Sequence, residues 1–358
     1  MTRMSMYLVH GLTWVLLLAL AGVSQAAEEF SIVELRDHVY AAMRNDPPGF
    51  AVESNTGVIE CSDHLVVIDS QSNDATTQRV LAAIRSRIDK PVRYLINTHW
   101  HDDHIVGNRV YREAFPDMKF IAHAAAVEYL PGLGKQNRDQ FHRAIPGVLE
   151  RFRKSLQTGK TSDGKPLSEE QRRSLQSDLR LGEGYSTVGD DFVAILPDIP
   201  VKDKYSIRDK GCAVDVLALG NAHTTGDLVI HLPEQRVVFV GDMVGWPVPL
   251  VGPEQSRVRD WSQTLARVRN LNAAVLVPGH GPVMKDSAHL DRIANLMSSI
   301  ARRVDDARAR GATSLETARS RIDLSDLRRE FATGSEVNGA LFDGYVTGPA
   351  ITNAWNFP

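Results

Sequence analysis

Thr98-His-Trp-His-Asp-Asp-His104 is the stretch that decides how the chain reads. Four side chains able to bind a metal, His99, His101, Asp103 and His104, fall within six residues. They follow the apolar run Tyr94-Leu95-Ile96, which has the character of a buried strand, and precede Gly107. A loop at the end of a strand can turn successive side chains toward one point, because no ladder holds them in alternation there. Neutral imidazole and carboxylate are preferred ligands of Zn²⁺ and related ions. Ionisable groups packed beside an apolar strand are costly to bury unless something pairs them, and a cation is the natural partner. By itself the segment also fits a polar surface loop rich in histidine.

Three later segments argue against that simpler account. Gly220-Asn221-Ala222-His223-Thr224 precedes an apolar run, Val240-Gly241-Asp242 ends one, and Val277-Pro278-Gly279-His280-Gly281 ends another. Each sets one ligand-type residue in a glycine-bearing turn at the edge of an apolar strand. The order H-x-H-x-D-H, then His223, Asp242 and His280, resembles the metallo-β-lactamase superfamily over roughly residues 58–283. The resemblance implies an αββα sandwich with two metals, expected to be Zn²⁺, at one edge. His99, His101 and His223 match the positions that hold the first metal. Asp103, His104 and His280 match those of the second, and Asp242 matches the aspartate that bridges both in glyoxalase II-like members. Asp102 lies between ligand positions and is expected to face solvent or support a ligand. Asp69 and Asp227 are expected either to support ligand histidines or to cap turns. The remaining histidines of the exported chain fit no ligand position.

Around this motif the chain alternates. Leu65–Ile68, Lys119–Ile121, Val214–Leu219, Leu228–Leu232, Arg236–Val240 and Ala274–Val277 read as strands. Helical spacing runs over Ala75–Ile88, Val106–Phe115, Asp260–Leu271 and Lys285–Arg310, and one or two helices are expected over Ser314–Arg329. Tyr129–Lys204 breaks the alternation. It is polar and mostly helical in character, with a capping box at Ser168–Gln171. The expected organisation is therefore an α/β domain over residues 27–290, carrying a surface insertion over 129–204, with a helical extension over 291–358. The insertion is expected to act as a lid or as a structural decoration. Trp246, Pro247 and Pro249 are candidates for a pocket wall.

Composition bounds the function further. The sequence has 358 residues and is 43% hydrophobic, enough for a substantial core. Lys+Arg number 41 against Asp+Glu 44, so no net charge attracts nucleic acid or an anionic membrane. Met1–Ala26 reads as a secretory signal, with Arg3 before the apolar run Thr13–Val23 and small residues at Ser24 and Ala26. Export to the periplasm or beyond is expected, with a small molecule as substrate and no stable membrane insertion after cleavage. Cys61 and Cys212 sit in apolar, strand-like stretches, and two unpaired buried side chains are expected there.

No G-x-S-x-G elbow competes with a metal mechanism. The resemblance implies attack by metal-bound hydroxide on an acyl carbon, with Asp103 and Asp242 as the catalytic carboxylates. β-Lactam, lactone, ester and thioester substrates all remain open, with a β-lactam-like cyclic amide as the first expectation and a glyoxalase II-like thioester, ester or lactone hydrolase as the alternative. Asp242 stands where zinc β-lactamases with a cysteine ligand carry that cysteine, and no lysine follows it closely. A redox di-iron protein of this fold uses a carboxylate where His101 stands, and a nuclease of this superfamily carries a larger cap. A metal-binding protein without catalysis is the remaining alternative.

Overall fold

The computed structural model describes residues 29–189 and 192–358. The signal expected over Met1–Ala26 lies outside the described residues. Seven strands form the first sheet, in spatial order β1 (Phe30–Arg36), β2 (Val39–Arg44), β3 (Thr56–Glu60), β4 (Leu65–Ile68), β5 (Val92–Ile96), β6 (Lys119–His123) and β7 (Ile199–Val201). β1 to β4 run antiparallel, and β4 to β7 run parallel. The second sheet holds β8 (Lys204–Ile207), β9 (Val214–Leu217), β10 (Val229–Leu232), β11 (Val237–Gly241) and β12 (Val275–Pro278). Its β11–β12 pair is parallel and the other pairs are antiparallel.

Strand periodicity explains the layering. In β4, Val66 and Ile68 face the second sheet and meet Ile230, Val237 and Phe239. Leu65 and Val67 face the other way, toward Val80, Leu81 and Ile84 of α1 (Asp74–Arg85) and Tyr111. Both faces of β4 are buried, so it reads as an unbroken apolar run. α2 (Asp102–Ile105), α3 (Asn108–Ala114) and α4 (Ala126–Tyr129) follow along the first sheet. α5 (Lys135–Thr158) and α6 (Glu169–Tyr185) form an antiparallel pair. The outer face of the second sheet is covered by α7 (Val258–Arg269), α8 (Ala288–Ala309), α9 (Leu315–Arg321), α10 (Ser325–Ala332), α11 (Glu336–Phe342) and α12 (Gly348–Asn356). Trp261, Leu265, Ile293 and Ile300 pack against Val229, Val238 and Val240 there. The architecture is an αββα sandwich, as expected.

Three features differ from the sequence expectations. Cys61 and Cys212 are bonded to each other, with their Cα atoms 5.2 Å apart, rather than lying unpaired. They are 151 residues apart in sequence, and only the stacking of the two sheets brings them together in the core between them. A crosslink over so long a loop stabilises by about 2–4 kcal/mol. The last residues of the 129–204 segment are not helical: Ile199–Val201 is an edge strand on β6. The β1–β2 hairpin, which carries part of the first sheet's edge, has no counterpart in the sequence reading.

Among the described residues, no helix is long and apolar enough to cross a membrane.

Candidate metal centre

The chain direction brings the donors to one place. β4, β5, β11 and β12 all deliver their C-terminal ends to the same edge of the sandwich. Asp69 follows β4, the 98–104 turn follows β5, Asp242 follows β11 and His280 follows β12. His223 lies in the turn between β9 and β10. Glycine is required where these turns close on one another. A Cβ on Gly279 would strike Asp242 and stand 3.0 Å from His104. Gly241, at φ +52°, packs against the Thr98 side chain.

All seven sequence candidates converge as two groups of donor atoms. His99, His101, His223 and Asp242 form one, and Asp103, His104 and His280 form the other. Asp242 stands between them. Its Oδ2 is 3.9 Å from His99 Nε2, 3.7 Å from His223 Nε2 and 3.2 Å from His280 Nε2, while its Oδ1 is 3.4 Å from His104 Nε2. Asp103 Oδ2 lies 3.3 Å from His104 Nε2 and 3.1 Å from His280 Nε2. Donors placed tetrahedrally at 2.0–2.1 Å from a zinc ion stand about 3.4 Å apart, so these spacings suit such a centre.

The outward hydrogen bonds orient the rings. His104 Nδ1–H donates to Asp69 Oδ2 at 2.8 Å, His223 Nδ1–H to the Leu250 carbonyl at 2.9 Å, and His280 Nδ1–H to the Glu53 carbonyl at 3.1 Å. His99 Nδ1 is 3.1 Å from the Thr98 hydroxyl, which itself donates to Asp69. With Nδ1 so engaged, the Nε2 atoms of these four rings point inward. His101 instead turns Nδ1 inward, 2.9 Å from His223 Nε2. His99 Nε2, Asp103 Oδ2 and Asp242 Oδ1 are buried with no hydrogen-bond partner. Buried acceptors without donors are costly, and inward nitrogens facing carboxylates fit a pair of cations.

Electrostatics divides the histidines the same way. Burial drives His99, His101 and His223 down, with mutual repulsion adding to it at His99 and His101, and His101 falls to about 3. Burial thus favours the neutral, metal-binding form of all three. Burial also pushes His280 and His104 down, but Asp242 and Asp103 outweigh it, lifting His280 to about 10 and His104 well above its usual range. Burial raises Asp103 and Asp242, and the facing imidazoles more than reverse it.

Asp69 is a support residue as expected. Its backbone lies in the left-handed region at φ 59°, and its carboxylate takes bonds from Thr98 N–H, the Thr98 hydroxyl and His104. Asp227 caps a turn, accepting from the backbone and hydroxyl of Thr224. Asp102 turns away from the donors and is gripped by Arg138 of α5 through three bonds of 2.9–3.1 Å.

Two cavities flank the donors. The first, about 340 Å³, lies under α5 and α6 and reaches His101 and Asp103. The second, about 270 Å³, reaches Asp242 and His280 and has Trp246 and Pro247 on its wall. The sequence reading missed Tyr345, beyond α11, which lines both cavities and donates its hydroxyl to the Phe50 carbonyl. It missed Arg138 as well. The apolar stripe Phe141, Ile145, Leu149 on α5 was the available signal, at helical spacing inside a polar segment.

The comparisons agree with this architecture. A linear primary-alkylsulfatase of Pseudomonas sp. (strain ATCC 19151) is 24% identical over 250 residues, covering 67% of this chain and 43% of that protein. The chain thus spans less than half the length of that relative. A metallo-beta-lactamase type 2 of Bacteroides fragilis is 21% identical over 261 residues, 71% of this chain and 80% of its own. The solved metallo-beta-lactamase from Pontibacter korlensis shares the fold at a TM-score of 0.51 and 16% identity, over 75% of this chain and 99% of that one. The model of the metallo-beta-lactamase superfamily matches residues 49–280, more than half of the sequence. The chain belongs to the metallo-beta-lactamase superfamily.

Proposed function

We propose that the protein is an exported hydrolase that holds two zinc ions and cleaves an acyl bond. One observation carries this reading: two groups of donors lie side by side against two cavities, and Asp242 of the first group stands 3.4 Å from His104 and 3.2 Å from His280 of the second. His99, His101 and His223 would hold one ion, Asp103, His104 and His280 the other, with Asp242 between. Bound there, zinc supplies Lewis acidity to an acyl oxygen and acidifies a water toward neutral pH. The chain's own residues do the rest. Asp69, Leu250 and Glu53 hold the rings of His104, His223 and His280 in register. Asp103, whose Oδ2 lies 3.3 Å from His104 Nε2 and 3.1 Å from His280 Nε2, would be a ligand of the second ion and orient the water. The net reaction adds one water across the acyl bond, giving a carboxylic acid and the protonated leaving group.

Export is supported by the Met1–Ala26 pattern and by the Cys61–Cys212 bond, which suits an oxidising compartment. For the substrate, the aspartate at position 242 and the apolar first cavity favour an ester or thioester. The names of the metallo-beta-lactamase relatives keep a β-lactam as the second reading.

The test is metal content of the purified protein beside turnover of p-nitrophenyl esters, a thioester, a lactone, nitrocefin and a primary alkyl sulfate, each with and without EDTA. Two zinc ions per chain and EDTA-sensitive ester or thioester turnover are expected. Protein that takes up no transition metal, or turnover indifferent to EDTA, overturns the proposal. Faster nitrocefin turnover moves the substrate to the second reading.

A further inference from the structure

The first cavity differs from its neighbour in what lines it. Phe141, Ile145, Val148, Leu149 and Phe152 of α5 form its roof. They recur at three- and four-residue intervals, so a single helix face supplies them. Phe141 and Phe50 stand at the mouth, 44% and 45% exposed, large apolar rings left partly in water. The inner end reaches His101 and Asp103, so the slot is continuous with the donor cluster.

Two charged side chains on its wall are held by the protein itself. Arg138 spends its guanidinium on Asp102 through three hydrogen bonds and lies over the Phe192 ring at 4.5 Å. Asp178 accepts the Ala51 N–H at 2.9 Å. Arg138 is thus engaged, Asp178 keeps Oδ2 buried without a partner and offers no positive charge to an anion, and the apolar face of α5 makes the slot select for uncharged apolar matter. The second cavity is more polar, with the paired Arg44 and Asp46 on its wall beside Asp242 and His280. Ala51, Val52, Leu250 and Tyr345 line both spaces and form the sill between them.

We infer that the substrate is an amphiphile whose unbranched apolar acyl chain lies in the α5–α6 slot and whose polar leaving group lies in the second cavity. The inference rests on the hydrolase reading above and names its substrate class. At roughly 30 Å³ per methylene, about the volume of a water molecule, a slot of about 340 Å³ takes a chain on the order of ten carbons. Hydrolysis breaks the bond between acyl carbon and leaving oxygen, forms one bond from that carbon to the water oxygen, and passes a water proton to the leaving group. The products are a medium-chain carboxylic acid and an alcohol.

The experiment has two arms on the purified, zinc-loaded protein. The first follows kcat/KM for p-nitrophenyl esters from acetate to dodecanoate. It should rise about three- to fourfold per added methylene, then flatten near ten carbons. The second arm is calorimetric titration with 1-decanol and 1-butanol, which needs no turnover. Decanol should bind and butanol should not. Ile145→Trp, which fills the slot, should weaken decanol binding and lower the decanoate-to-acetate ratio, each at least tenfold. Val148→Trp, at a less buried position, carries the same expectation should Ile145→Trp fail to fold. Turnover of acetate with a flat chain-length series and no decanol binding overturns the inference and leaves the hydrolase reading standing. Decanol binding that Ile145→Trp and Val148→Trp leave unchanged overturns the assigned slot. Decanol binding without hydrolysis of any ester supports the slot and counts against the hydrolase reading alone.

Discussion

The donor edge and the helical cover meet across a few ångströms and are built on different terms. At the edge the supporting bonds are dictated by geometry, Asp69 alone binding Thr98 twice and His104 once, while His99 Nε2, Asp103 Oδ2 and Asp242 Oδ1 are left inward without a partner. The cover of α5 and α6 is attached by contacts of a more replaceable kind. Arg180 pairs with Asp46, Glu170 accepts from Ser335, and Asp178 accepts from Ala51. The exposed Arg180–Asp46 ion pair is worth about 0–1 kcal/mol, and the hydrogen bonds of Glu170 and Asp178 about 0.5–3 kcal/mol each. The edge therefore specifies one arrangement of donors. The cover specifies a volume and a polarity, which tolerate substitution if shape is kept. On the proposed function, chemistry belongs to the first region and selectivity to the second.

The harshest break falls on the edge. His101→Ala removes a donor that is buried among His99, His223 and Trp100. Zinc content should fall from two ions to at most one, and turnover should fall on the order of a thousandfold, matching the several kcal/mol a catalytic metal supplies. Far-ultraviolet circular dichroism should stay unchanged, because the sandwich core does not include this ring. Full activity in the variant would separate the donor cluster from the chemistry.

A milder break sharpens the comparison. Asp69→Asn keeps the shape but loses the charge opposite His104 Nδ1 and forces the amide to satisfy acceptors and donors at once. Zinc affinity should drop about 10–100-fold by competition with a chelator, as for other residues that orient metal-binding histidines. No change would mean that the Thr98–His104 turn is held by its backbone alone.

These two residues were legible in the sequence for different reasons. His101 belongs to a motif whose spacing is local, and Asp69 was visible only as the acid that stops an apolar strand. The αββα layering was legible through the resemblance that the H-x-H-x-D-H order carries, while the short apolar runs of β4, β5, β11 and β12, ended by polar turns, by themselves gave an α/β alternation. What stayed hidden is everything set by distant packing. The Cys61–Cys212 bond needs two sheets to stack. Tyr345 comes from the helical extension and reaches the site only because the stretch after α11 folds back over Phe50. The slot was hidden because Ile145 and Leu149 are apolar islands in a charged segment, where α5 presents them inward and leaves Arg151 and Arg153 in water.

The smallest expected effect tests how the cover is fastened. Asp178 of α6 lies under the Phe50–Ala51 loop, and burial raises its carboxyl to about 6, against the pull of the Ala51 and Phe50 backbone N–H groups. In the unfolded chain the same group titrates near 3.9. Between about pH 4 and 6 the folded protein therefore binds more protons at this position than the unfolded one, and its contribution to stability falls as pH rises through that window. Above about pH 7 the loss is complete, on the order of 3 kcal/mol for a shift of this size. Asp178→Asn accepts the same N–H without a charge, so it should flatten that part of the profile and gain stability at pH 7 relative to pH 4. Urea midpoints of both proteins, measured at matched zinc from pH 4 to 8, give the difference directly and cancel the titration of Glu53 and Asp227, which burial raises to about 7 in both. A difference that does not change with pH would mean that Asp178 is ionised in the folded state and that the cover is anchored by charge, as the edge is.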